Sequence, residues 1–199
     1  MTAQTIKQSI RQRIITARQQ MAEKERVRLS KAIAARIAGM DVYRTANTVL
    51  AYMNFGAEFS AEIFAQQVLR DGKRVLLPKV NRFTNELDIY QVTDLLSDLG
   101  PGMWNISEPL VERCAKVDAL EEVDFILLPG VAFGRNGARL GYGGGFYDKL
   151  LARLKHHPAL VAGAYTVQIV DGIPQEANDR KIEWLVTENE TIHCTLQSE

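Results

Sequence analysis

The chain has 199 residues, enough for one domain over 1–199 to bury a substantial core without metal or disulfide staples. Its 24 lysines and arginines equal its 24 aspartates and glutamates, so no global basic field directs it to nucleic acid or to a membrane surface. No apolar run approaches the ~18–20 residues of a membrane span, the first residues lack the apolar core of a signal peptide, and Cys114 and Cys194 form no Cys-x-x-Cys pair; a cytoplasmic protein with free thiols is the expectation.

In chain order, Ile6, Ile10, Ile14 and Met21 recur at helical spacing with Ala17 filling the stripe, which predicts an amphipathic helix over 5–21. Lys7 and Arg11 share a face about 100° around from that stripe, at the edge of the buried side. Read on the helix alone, they favour a solvated basic flank. A second helix over 23–38 turns Val27, Ile33 and Ile37 inward and stops at Gly39. Residues 48–53 form an apolar run suited to a strand buried on both faces. Ser60 can cap a helix reaching Arg70, and Asp71-Gly72 turns into a strand over 74–78, completing a β-α-β unit. Residues 54–59 follow a strand's carboxyl end, where open α/β sheets hold ligands, so Glu58 has a positional argument; otherwise it is a loop carboxylate favouring the next helix N-terminus.

A strand is expected over 87–92 and a short helix or loop over 94–99. Beyond Gly100 the chain is irregular, and Trp104 either plugs the core, which the residue type favours, or stacks on a planar heterocycle. A strand over 124–129 then feeds a loop carrying Gly141, Gly143, Gly144 and Gly145, followed by a helix over 145–154 whose apolar face is Tyr147, Leu150, Leu151 and Leu154. Such a loop can turn several N–H groups toward a phosphate at the helix N-terminus, with Arg135 and Arg139 adding charge just upstream. A plain surface turn is the alternative. A Walker A loop is excluded because no Gly-Lys-Ser/Thr follows, and the dinucleotide fingerprint fails because Phe146 stands where its third small residue belongs. Asp148, in the first turn, suits the helix dipole and equally suits Mg²⁺ beside a polyphosphate. A strand over 160–165, a continuation through Gln168-Ile169-Val170 and a last strand over 184–187 follow, with a second acidic site at Glu176 to Asp179. His156, His157 and His193 lack metal-ligand spacing and read as surface residues.

The run Pro129-Gly130-x-x-Phe133-x-x-x-Gly137-x-Arg139-Leu140-Gly141-x-Gly143-x-Gly145-Phe146-Tyr147-Asp148 resembles the signature of the 5-formyltetrahydrofolate cyclo-ligases, also called methenyltetrahydrofolate synthetases. Lys7-x-x-x-Arg11, Glu58, Trp104-Asn105-Ile106-x-Glu108-Pro109 and Asn178-Asp179 extend the resemblance over nearly the whole chain. Alternating strands and helices predict a three-layer α/β/α fold with a mostly parallel central sheet, and the resemblance narrows it to the ribose-phosphate-isomerase and CoA-transferase-like architecture.

The activity so implied is ATP-dependent closure of 5-formyltetrahydrofolate to 5,10-methenyltetrahydrofolate, with ATP as co-substrate, Mg²⁺, a folate substrate and a monomeric enzyme. The resemblance makes Lys7, Arg139 and Tyr147 catalytic. It assigns ATP to Lys7, Arg11 and the run Arg139, Leu140, Gly141, Tyr142, Gly143, Gly144, Gly145, Phe146 and Tyr147. The folate falls to Met53, Glu58, Trp104, Tyr142, Gly143, Gly144, Gly145 and Phe146, and the metal to Asp148 and Asp179. Phe146 stands where many family members carry tyrosine, so no hydroxyl is offered there. A nucleotide-sensing module without catalysis, and a CoA or sugar-phosphate enzyme on a similar fold, are the alternatives.

Overall fold

The computed structural model describes residues 2–176 and 179–194; Asn178 of the expected acidic motif lies outside them. Helices α1 (Ala3–Gln20), α2 (Glu23–Ala38) and the short α3 (Asp41–Arg44) lead into strand β1 (Thr48–Leu50). Helix α4 (Ala61–Arg70) returns the chain to β2 (Arg74–Asn81), which pairs parallel to β1 as the expected β-α-β unit. Strand β3 (Glu86–Val92) folds back antiparallel on β2. Three short strands follow, β4 (Leu99–Pro101), β5 (Ser107–Pro109) and β6 (Ala115–Val117), then β7 (Phe125–Leu127). A small hairpin, β8 (Ala132–Phe133) and β9 (Arg139–Leu140), separates β7 from the glycine loop and helix α5 (Phe146–Ala152). Strands β10 (Ala159–Gly163), β11 (Trp184–Val186) and β12 (Thr191–His193) complete the order.

The main sheet runs β12-β11-β10-β7-β1-β2-β3-β6. Its centre, β11 to β2, is parallel throughout, and antiparallel pairs occur only toward its two edges. The central strands read as continuous apolar runs because both faces are covered, so successive side chains enter different cores. Val49, Val75, Leu77, Phe125 and Leu127 meet α2 and α4 through Ile33, Ile37, Phe64 and Val68. Leu50, Leu76 and Ile126 point the other way, into the core closed by Leu150 and Leu151 of α5. This is the three-layer arrangement. Helix α1 lies outside both layers, where Ile10 and Ile14 pack on Ala132, Ala138 and Leu140 of the hairpin.

Several local expectations are corrected. Val27 is 40% exposed, and Leu29, Ser30 and Ala34 join Ile33 and Ile37 on the buried side of α2. Ser60 makes no side-chain cap on α4; its amide donates instead to the buried Ser30 Oγ at 3.0 Å. Strand β1 stops at Leu50, although Ala51 N–H still reaches Leu76 O at 2.9 Å. The strand expected over 184–187 is not the last, because Asn189 and Glu190 amides turn onto Thr187 Oγ1 and bring β12 back along β11. Gln168 to Val170 does not extend β10: residues Thr166–Gln168 form a single 3₁₀ turn, and the buried Gln168 amide donates to the Gly130 and Val131 carbonyls at 3.2 and 3.1 Å. His156 is half-buried on the Val123 carbonyl at 2.7 Å and is no plain surface residue.

Candidate active site

The site lies beyond the carboxyl ends of β1 and β7, where the chain leaving each strand turns outward. After β1, residues 54–58 form a tight turn with Gly56 at φ +56°. Glu58 N–H donates to Phe55 O at 3.2 Å, and Glu58 Oε2 accepts from Phe55 N–H at 2.8 Å. The turn is anchored below by Tyr165, whose hydroxyl donates to the Glu58 carbonyl at 3.1 Å. Glu58 is therefore held rigidly and is only 6% exposed. Burial raises its carboxyl above the ordinary carboxylate value, and the Phe55 amide, the Arg18 guanidinium and the Tyr142 hydroxyl oppose that without cancelling it.

After β7 the hairpin carries the chain up to the glycine loop. Gly143 (φ +106°) and Gly145 (φ +66°) take backbone conformations that L side chains rarely adopt, so the glycines here are required by geometry. Arg139 and Asp148, at the two ends of the loop, pair at 2.6 Å, and Arg139 also donates to Pro129 O at 3.3 Å. Helix α1 supplies the other wall: Arg11 Nε donates to Gly141 O at 2.8 Å, and the guanidinium lies over Gly143. Lys7 is buried rather than at the rim, with Nζ 2.8 Å from Glu176 and 3.2 Å from Asp179. Burial alone would lower the Lys7 ammonium; its hydrogen bonds to Glu176 and Asp179 carry it above the ordinary lysine value. Two of its three N–H groups are so engaged, leaving one for a ligand.

Aromatic side chains line the remaining side. Trp104 is 56% exposed and does not plug the core; its ring meets Phe146 edge-on at 6.3 Å between centroids. The reading as a core plug fails because Trp104 and Asn105 both adopt positive φ, +54° and +60°, which turns the loop outward. Glu108 keeps that loop in place, buried against Lys79 at 3.4 Å. Phe55 meets Tyr142 edge-on at 5.9 Å. Tyr147 and Met53 pack against the α2 side of the core, and burial, with the nearby Glu58 adding to it, raises the Tyr147 phenol far above its ordinary value, so the hydroxyl stays protonated. The Leu140 side chain is buried beneath the site against α1, so any ligand contact there must come from its backbone. Arg135 is drawn away, paired with Glu190 at 2.6 Å.

The residue that sequence reading missed is Arg18. Its guanidinium, 2% exposed, donates to the Tyr142 hydroxyl at 2.7 Å and stands 3.9 Å from Glu58. The signal was present: Arg18 follows Arg11 by seven residues, two turns of α1, and so continues the Lys7–Arg11 face.

Asp148 and Asp179 each keep one carboxylate oxygen without a hydrogen bond among the described residues, Oδ2 and Oδ1 respectively. No cluster of three or more metal-type side chains occurs among the described residues. Mg²⁺ takes one or two carboxylates and completes its shell with phosphate oxygens and water, so the free oxygen of either aspartate is by itself a candidate ligand.

The sequence pattern of the 5-formyltetrahydrofolate cyclo-ligase family matches residues 3–188. The chain belongs to the 5-formyltetrahydrofolate cyclo-ligase family. The 5-formyltetrahydrofolate cyclo-ligase of Mus musculus is 26% identical over 196 residues, covering 94% of this chain and 96% of its own. That of Escherichia coli K12 is 33% identical over 143 residues, covering 71% and 78%. Among solved structures, the 5,10-methenyltetrahydrofolate synthetase of Aquifex aeolicus superposes with a TM-score of 0.82 at 33% identity over 98% of this chain and 94% of that one. The cyclo-ligase family fold is matched also by the Mycoplasma pneumoniae synthetase, TM-score 0.73 at 20% identity over 92% and 98%.

Proposed function

We propose that this cyclo-ligase family member closes 5-formyltetrahydrofolate to 5,10-methenyltetrahydrofolate with ATP, releasing ADP and phosphate. The observation that carries this reading is the convergence of two walls on one loop. Arg11 and Arg139 flank the glycine-loop backbone, while Glu58 and the Tyr142, Trp104 and Phe146 rings border it on the other side. A phosphate-holding wall facing an aromatic wall suits a reaction that joins a nucleotide to a flat heterocycle. Neither a nucleotide-sensing module nor a CoA enzyme explains a buried carboxylate set beside exposed aromatic rings.

A formamide oxygen is a poor leaving group until it is phosphorylated. Once the γ-phosphoryl has moved to that oxygen and ADP has left, the neighbouring folate nitrogen attacks the formyl carbon, loses its proton, and phosphate departs with the oxygen. The chain's task is then positioning and electrostatics. Lys7 and Arg11 hold phosphate from α1, Arg139 holds it from the loop base, and the amides between Gly141 and Phe146 complete the cradle. Tyr147, kept protonated, donates a hydrogen bond near the transferred group, while Met53, Glu58 and Trp104 seat the folate. Asp148 and Asp179 would hold Mg²⁺, which supplies charge neutralisation on the phosphates when bound.

We further propose a cytoplasmic monomer acting as one unit; the buried free thiols Cys114 and Cys194 suit a reducing compartment. No described helix is long and apolar enough to cross a membrane. The deciding experiment incubates the protein with ATP, Mg²⁺ and 5-formyltetrahydrofolate and follows the absorbance of the methenyl product. Product formation that requires all three supports the reading, and its absence with well-folded protein rejects it.

A further inference from the structure

Strands β10, β7 and β1 lie side by side, and the chain leaving β7 and β1 builds the two walls of the site. Past β10 the chain makes the single 3₁₀ turn Thr166–Gln168, entered by Tyr165, and both Tyr165 and Gln168 are buried. They are locked to each other: Tyr165 N–H donates to Gln168 Oε1 at 3.0 Å, and Gln168 N–H donates to Tyr165 O at 2.8 Å. Each side chain then reaches a different wall. The Tyr165 hydroxyl donates to the Glu58 carbonyl at 3.1 Å and, more weakly, to the Arg26 carbonyl at 3.3 Å. Its one proton thus serves carbonyls, so in its 2.9 Å contact with Ser30 Oγ the serine is the donor. Ser30 Oγ in turn accepts from Ser60 N–H at 3.0 Å. A chain of hydrogen bonds from Ser60 through Ser30 and Tyr165 to Glu58 therefore holds the backbone on both sides of Phe59. Gln168 Nε2 donates to the Gly130 and Val131 carbonyls, where the chain leaves β7 for the hairpin and the glycine loop. Val170 N–H continues the same hold on Phe133 O at 2.9 Å.

Glu58, Ser60, Gly130 and Val131 all lie beyond the ends of their strands, so these backbone groups need partners outside the sheet ladder. Side chains supply them here, and a side-chain hydrogen bond fixes direction as well as distance. A buried network of this kind, with its members satisfied, rigidifies what it touches. We propose that Tyr165 and Gln168 are positioning residues for the reaction: Tyr165 holds the Glu58 turn that borders the folate, and Gln168 holds the chain entering the nucleotide-binding glycine loop. Both act through the backbone they anchor. The proposal rests on the ring-closure reading above and adds to it what keeps each wall in place.

The test uses the full chain with Tyr165→Phe and Gln168→Met, which remove the hydroxyl and the amide at nearly constant shape. Calorimetric titration gives Kd for ATP with Mg²⁺ and, separately, for 5-formyltetrahydrofolate; the ring-closure assay gives both KM values. The expected pattern is crossed. Tyr165→Phe should weaken the folate by about fivefold or more with ATP nearly unchanged, and Gln168→Met should weaken ATP by a similar factor with the folate nearly unchanged, the scale of one or two lost hydrogen bonds. If a first variant does not fold, Ser30→Ala carries the Tyr165 arm by breaking the same chain of bonds one step away, and Gln168→Asn carries the other by keeping the amide and shortening its reach. A purely structural role would lower the melting temperature and leave both affinities of the folded protein as in wild type. That result, a loss shared by both substrates, or the reverse pairing overturns the proposal. Absence of turnover in wild type would instead sink the ring-closure reading, while the two binding titrations still decide the roles of Tyr165 and Gln168.

Discussion

The side chains of Arg139 and Asp148, nine residues apart at the two ends of the glycine loop, meet at 2.6 Å and clamp the loop closed at its base. Arg139 is nearly buried while Asp148 is 30% exposed, so the pair keeps one face toward ligand. The clamp places a cation and a carboxylate beside the same backbone, which suits a phosphate and its metal.

From this pairing, Asp148→Asn should retain nucleotide binding but lose much of its Mg²⁺ dependence, because the amide keeps the shape and removes the anion. ATP titrations at several Mg²⁺ concentrations check it. A variant whose Mg²⁺ dependence matches wild type would remove Asp148 from the metal site.

Lys7→Ala and Arg11→Ala should each raise the apparent ATP requirement by about ten- to a hundredfold, the worth of a charged hydrogen bond of ~1.5–3 kcal/mol. Lys7→Ala should also lower thermal stability more than Arg11→Ala, since Lys7 is the more buried and its removal takes a cation away from Asp179. Steady-state kinetics with thermal melts separate the two effects; unchanged ATP kinetics in both variants would leave α1 a purely structural helix.

Gly143→Val and Gly145→Val should abolish turnover while the protein stays folded. At Gly145 a Cβ would meet nothing within 4 Å, so the penalty there is backbone strain at φ +66°, of order 1–3 kcal/mol. At Gly143 the same strain is joined by contact with the Arg11 guanidinium, 3.7 Å from where a Cβ would stand. Circular dichroism and nucleotide titration provide the readouts, and wild-type turnover in both variants would reduce the loop to a turn.

For Glu58 the pH sign follows from burial. Its folded-state value lies above the ordinary carboxylate value, so Glu58 contributes stability that is fully present below the unfolded value and is lost as pH rises through the folded one. Melting temperatures of Glu58→Gln and wild type, compared from about pH 4 to about pH 8, should therefore move in favour of the glutamine variant as pH rises. A difference independent of pH would mean that the carboxyl is not perturbed. Folate affinity should fall in the variant, with ATP binding retained.

Features that depend on near neighbours in the chain were legible before any contact was known. The apolar run at 48–53 marked a strand covered on both faces, the run at 124–129 marked the strand that feeds the glycine loop, and the periodicity of 23–38 matched α2. Lys7 and Arg11 could be read as a pair because four residues of helix bring them to one face. The short β4, β5, β6 and β12 could not, since three residues carry no measurable period. Depth and partnership came from long-range packing alone. Periodicity tells which way a side chain leaves its own element and says nothing about what a distant element sets against it. Thus Trp104 faces solvent because its backbone turns to positive φ, and the Ser60 amide is anchored on Ser30 of α2 while its side chain makes no cap on α4. Arg18 shows this most fully: on α1 it is one more helix-end arginine, and its buried place between Tyr142 and Glu58 exists only because the glycine loop, 124 residues on, packs across that end of the helix.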